Sequence, residues 1–162
     1  RQTMKALSVR QPWAWAIVQG YKTVENRSWL TQYRGPILIH AAKAPSRVSL
    51  CESVLDLLML SRHTYPEMDI PDPDVTPNAM AFGSFVGTVE VVDMLTMSDP
   101  RAHASPYYQG GTAWLLGNAK AFDRPIPFAG RQGLFDVPWP LPPSLLAGAA
   151  RAPKRTLSAR AR

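Results

Sequence analysis

Apolar and polar positions alternate weakly over Lys5–Val9, which reads as a first strand. The apolar run Trp13–Val18 follows. Pro12 stands at its first turn, where a missing N–H is no loss, and Gly20 supplies a left-handed residue to end it. Thr23–Arg27 alternates again as a short strand, and Arg34-Gly35-Pro36 is turn material before Ile37–His40, which reads as a buried strand. Ser46 is a plausible N-cap for a helix running to about His63. Val48, Cys51, Leu55 and Leu58 recur there at helical spacing, so this face is expected in the core. Tyr65–Asn78, with four prolines and four acids, reads as a surface loop. Phe85–Val92 is the clearest strand, followed by shorter candidates at Thr112–Leu116, Ala121–Phe122 and Gly133–Val137. Pro138–Pro143 is expected to leave the fold. Helices early and short strands later predict an α+β domain around a small, partly closed barrel, with an N-terminal helix and an inserted helix.

The chain of 162 residues suffices for one domain and its own core. The expected boundaries are a domain over 1–137, with helix and acidic proline-rich loop inserted at 46–80, and an exit and basic tail over 138–162 that reads as disordered. Cys51 is the single cysteine, and no apolar leader or membrane span is visible, which fits a reducing, cytoplasmic setting. The net charge of +6 is unevenly placed. Residues 148–162 carry +5, so the other 147 residues sum to +1. Residues 1–47 carry +7, and residues 48–99 carry −8. Two readings stay open: a basic face that attracts phosphates, or two blocks that neutralise each other in the fold.

Motifs for common chemistries are absent. His40, His63, His103 and Cys51 have no zinc spacing, no phosphate-cradling glycine loop exists, and no cofactor or metal is implied. Charged and aromatic residues crowd instead between Gly20 and His40. On a regular strand Thr23, Glu25 and Arg27 share one face. Glu25 and Arg27 then pair with each other or offer a ligand both acceptor and donor edges. Lys22 follows the helix end and can reach a cleft. Trp29 and Tyr33 offer stacking surfaces, and Arg34 offers a phosphate contact. Those are the needs of a single-stranded nucleotide, with base stacking worth ~1–3 kcal/mol. The bland alternatives are core packing for Trp13 and Trp15, a plain ion pair for Glu25–Arg27, and a satisfied buried histidine for His40. Glu90, which interrupts Val89–Val92, is solvent-facing or deliberately paired.

At these residues the chain resembles the ASCH family, the activating-signal-cointegrator homology domains with a PUA-like barrel. The run Leu7-Ser8-Val9-Arg10-Gln11-Pro12-Trp13-Ala14 carries the likeness, with Gly20-Tyr21-Lys22-Thr23-Val24-Glu25-Asn26-Arg27, Tyr33-Arg34-Gly35-Pro36 and Leu38-Ile39-His40-Ala41. Later pieces (Val86–Val91, Trp114–Leu116, Gly130–Phe135) extend it over about Met4 to Val137. The resemblance implies a PUA-like small β-barrel with a cleft beside the N-terminal helix, in proteins linked to RNA or nucleoside recognition. Some relatives are amidohydrolases that deacylate acetylated cytidine, and others are reported as ribonucleases. In the amidohydrolases a catalytic lysine is followed three residues on by threonine, with a distant glutamate. Lys22 matches the lysine, Glu25 stands in place of the threonine, and Glu90 is the candidate for the distant acid.

Two functions follow as expectations. In the first, a cleft binds single-stranded RNA or a nucleobase through Lys22, Glu25, Arg27, Trp29, Tyr33, Arg34 and His40, with DNA as a second possible partner. In the second, Lys22 with Glu25 and Glu90 hydrolyses an acylated nucleoside or an RNA strand. Glu25 argues against a lysine base, because an adjacent carboxylate holds an amine protonated. A protein-interaction role for Tyr65–Asn78 is the blandest option. The oligomeric state is open.

Overall fold

The computed structural model describes residues 2–150, with side chains to residue 146. The elements run β1 (Thr3–Val9), α1 (Trp13–Val18), β2 (Val24–Asn26), β3 (Gly35–Ala41), α2 (Arg47–Ser61), β4 (Ser84–Leu95), α3 (Pro100–His103), β5 (Ala113–Pro127), β6 (Leu134–Pro138) and α4 (Pro143–Ala150). The described strands form one curled sheet, a half-barrel, in the order β2-β5-β4-β3-β1-β6. β1 and β3 run parallel and the other neighbours antiparallel. This is the α+β fold that the sequence predicts.

Alternation decides which side each residue covers. Leu7, Val9, Ile37, Ile39, Val89 and Val91 share a core with Ala14, Ile17 and Val18 of α1. Ala6, Leu38, Phe85, Phe135 and Val137 form a second core on the other face. Trp15 is buried in a third cluster with Val24, Leu57 and Tyr107, so it serves packing. α1 ends as expected: Gly20 has φ of +85° and its N–H donates to the Ile17 carbonyl at 3.0 Å. No described helix is long and apolar enough to cross a membrane.

Three expectations fail for identifiable reasons. The α2 face expected in the core points outward: Val48 is 68% exposed, Leu55 60% and Leu58 41%, and Cys51 is exposed too. Leu57 and Ser61 are the buried residues of this helix. Apolar residues lie on two sides of α2, and periodicity cannot rank them; the Ser61 hydroxyl, 2.7 Å from the buried Tyr107 hydroxyl, marks the inner side. Thr112–Leu116 and Ala121–Phe122 are not separate strands, since β5 runs through both. Register shifts against β4 and a φ of 49° at Asn118 let one strand bend without ending. Finally, Pro138–Pro143 stays on the fold. The Trp139 N–H donates to the Gln2 carbonyl at 3.1 Å, Leu141 is buried against the second core, and α4 lies along β5. The rest of the expected basic tail, 151–162, lies outside the described residues.

The contact between α1 and the sheet leaves no space at Gly87. A Cβ there would stand 2.3 Å from the Lys120 carbonyl oxygen and 2.8 Å from Val18 Cγ1. Gly87→Ala is therefore expected to lower stability by about 1–3 kcal/mol, as overpacking does. Urea unfolding measures it.

Candidate functional site

The turn after α1 swings back under the helix, where the Lys22 N–H donates to the Ala16 carbonyl at 3.0 Å. Its side chain is thereby drawn inward and only 4% exposed. The ammonium donates to the Val24 carbonyl at 2.5 Å and to Glu25 Oε1 at 2.9 Å. Glu25 Oε2 accepts from the Arg27 guanidinium at 3.2 Å, and that guanidinium also donates to the Ser8 carbonyl at 2.9 Å. The buried Lys22 and Glu25 and the part-buried Arg27 thus form one ionic unit reaching from β2 to β1. Burial lowers the Lys22 pKa; the Glu25 carboxylate and its hydrogen bond oppose that shift, and Arg27 adds to it.

Beside this unit lies a cleft of about 270 Å³, lined by Lys22 and Thr23, Ile17 and Gly20 of the helix end, and Leu116–Ala119 of β5. Thr23 and Asn118, exposed on its walls, have no role in the sequence reading. The Gly117-Asn118 step, which looks like a turn in sequence, was the available signal for the β5 wall.

The other candidate residues stand apart from the unit. Glu90 is exposed, and its carboxylate accepts from the Asn118 amide at 3.4 Å, on the solvent side of β4. Alternation turns Val89 and Val91 to the core and Glu90 away from it, so Glu90 meets the cleft through Asn118 on its wall and forms no ion pair with Lys22 among the described residues. Trp29 packs edge-on against the buried Trp114, with centroids 4.9 Å apart. Tyr33 donates its hydroxyl to the Pro36 carbonyl at 2.7 Å. Arg34 folds onto the Thr31 and Tyr33 carbonyls and lies 3.5 Å from Asp93. His40 is buried on the other face of the sheet, against Phe85 and Phe135. One ring nitrogen is 2.6 Å from the Phe128 carbonyl and the other 3.2 Å from the Ser8 hydroxyl. Gly130 closes over this ring, where a Cβ would come within 2.4 Å of Cε1. Ser8 therefore links the two faces, through its carbonyl to Arg27 and its hydroxyl to His40. Nothing in the sequence marks that role, because half of it belongs to a backbone atom.

The family model described as the ASCH domain matches residues 7–126. The chain belongs to the ASCH domain family. This ASCH domain is 37% identical over 91 residues to Activating signal cointegrator 1 of Homo sapiens, and 34% over 93 residues to that of Mus musculus. Each match covers 56% of this chain and 14% of the relative, so the chain spans about a seventh of those proteins. Among solved structures, ASCH from Zymomonas mobilis superposes with a TM-score of 0.46 at 18% identity, over 90% of this chain and 94% of that one.

Two outcomes test the wiring of the ASCH domain. Glu25→Ala strands a buried ammonium, and removing one partner of a buried pair costs about 3–5 kcal/mol. Lys22→Met leaves Glu25 beside Arg27, so it is expected to cost less; thermal unfolding of both variants ranks them. For His40, burial outweighs the Phe128 contact and lowers the pKa below its ordinary value of about 6.5. Between the two values the unfolded chain binds a proton that the folded one does not, so stability falls as pH falls through that interval. His40→Gln is expected to remove this slope from unfolding measurements between pH 7 and pH 5, roughly the range where histidine changes charge.

Proposed function

We propose that this ASCH domain binds single-stranded RNA by taking one base or nucleoside into the cleft beside Lys22. The observation that carries the reading is a fixed, buried cation on the wall of an open cleft. Two of the ammonium's three N–H donors are used on Val24 and Glu25, which leaves one for a ligand carbonyl or phosphate oxygen. Arg27, a quarter exposed, adds a second anchored cation. The volume of about 270 Å³ lies at the lower edge of ligand cavities, roughly 300–1,000 Å³, so it suits one nucleoside and not a run of them. Neighbouring phosphates would be drawn to the basic N-terminal third, where Arg10 is exposed. Trp29, Tyr33 and Arg34 are engaged by Trp114, the Pro36 carbonyl and Asp93, and we assign them to shaping the segment more than to stacking.

Fluorescence anisotropy with a short single-stranded RNA and its DNA counterpart tests the reading. Thr23→Trp fills the cleft from an exposed wall position without touching the ionic unit. It is expected to weaken RNA binding by about tenfold or more with an unchanged unfolding curve. Affinity should fall with rising salt and survive deletion of 151–162 in reduced form. Binding that vanishes with the tail and ignores Thr23→Trp would place the RNA elsewhere.

One observation favours a second reading, hydrolysis of an acylated nucleoside: burial lowers the Lys22 pKa and so eases formation of the free amine a base or nucleophile requires. Glu25 works against it. The expected outcome is no turnover of acylated cytidines above that of the Lys22→Met variant, and turnover lost in that variant would reverse the ranking.

A further inference from the structure

Five of the large exposed hydrophobic residues belong to α2: Val48, Leu55, Leu58, Met59 and Leu60. At 3.6 residues per turn, Val48, Cys51, Leu55, Leu58 and Met59 fall within an arc of about 100°, on the side opposite the buried Leu57. Val48, Cys51, Leu55 and Leu58 also keep the three-four spacing of a coiled-coil seam. Scattered exposed leucines need no explanation, whereas a continuous stripe does.

What covers the stripe is decided by charge. Glu52 and Asp56 run along one flank, one turn apart, and Glu67, Asp69, Asp72 and Asp74 follow in the next loop. Residues 48–80 carry a net charge of −5. The flanking cation Arg47 is already paired with Asp74. Such a surface repels nucleic acid and anionic lipid, and a second copy would bring two acidic surfaces together. Its complement is an amphipathic helix with an apolar seam and basic flanks. We infer that α2 is a docking surface for a basic amphipathic helix of a protein partner, separate from the Lys22 cleft. The partner's apolar side chains would lie along Val48–Leu58 and its lysines or arginines beside Glu52 and Asp56. Arg62 closes the C-terminal end of the stripe and fixes how far the partner extends.

The test uses the full chain and a synthetic helix with leucines at the seam positions and lysines on its flanks. Controls are a scrambled peptide of the same composition and a version with glutamate for lysine. The seam peptide is expected to bind, and to slow alkylation of Cys51, the only thiol in the system, which locates it on the stripe. Leu55→Ser with Leu58→Ser should weaken binding by about tenfold or more, and both positions are exposed, so folding is spared. Glu52→Gln with Asp56→Asn should weaken it less and flatten its salt dependence. Equal binding of the scrambled peptide, or unchanged alkylation of Cys51, overturns the proposal. So does a concentration-dependent dimer in sedimentation that Leu55→Ser abolishes, because the stripe would then belong to a second copy.

Discussion

The burial of the Glu25 carboxylate between two cations is the constraint on which the mouth of the half-barrel depends. β2 is a three-residue edge strand paired with β5 alone, and so short an edge has little stability of its own. The ionic unit ties it on two sides, to α1 and to β1. Lys22 holds it to the end of α1 and satisfies the Val24 carbonyl, while Arg27 crosses to the Ser8 carbonyl on β1. The Arg27 carbonyl in turn accepts from the Thr112 hydroxyl at 2.6 Å. A buried carboxylate is tolerable only with such partners, so the three charges stand or fall together. The order of the motif follows from this. A glycine ends the helix, a lysine turns in, and an acid and an arginine two residues apart share one strand face.

That order is why the site was so legible in the sequence. Lys22, Glu25 and Arg27 are close in the chain, and the 3.6-residue and two-residue periods place them without any knowledge of the tertiary fold. Glu90, His40 and Arg34 were legible as unusual residues but not in their surroundings. Their partners, Asn118, Phe128 and Asp93, lie from 28 to 88 residues away and are brought near only by strand pairing. The same limit explains α2. Two apolar faces compete on one helix, and the choice rests on Tyr107, 46 residues beyond Ser61. In β5, a bend held by bulges reads locally like the end of a strand.

The chemistry of Lys22 is balanced between two effects that act oppositely on its proton. Burial favours the neutral amine, and a carboxylate at 2.9 Å favours the ammonium. An isolated buried lysine would lean toward base or nucleophile. With Glu25 held in place by Arg27, the unit holds both basic side chains at fixed geometry. A ligand meeting such a cation does not have to order it first, which reduces the entropic cost of association. Catalysis gains less, since a lysine base must lose its proton against that same carboxylate. Fixed geometry is thus the feature on which the proposed recognition role rests.

The two charge blocks divide between pairing and display, so neither reading of the sequence holds alone. Lys5, Arg34 and Arg47 pair with Asp136, Asp93 and Asp74 at exposed positions. Exposed pairs of this kind contribute only ~0–1 kcal/mol and weaken with salt. They guide how the segments meet without erasing either block. Arg10 and Lys43 are exposed and have no ion-pair partner among the described residues, so part of the basic third faces solvent. The acids of α2 and its following loop face solvent largely as well. A ligand bearing phosphates is drawn to the first surface and repelled by the second, and a basic helix experiences the reverse. The segregation that looked in sequence like an imbalance awaiting neutralisation thus leaves one small domain with two surfaces of opposite charge, each suited to a different kind of ligand.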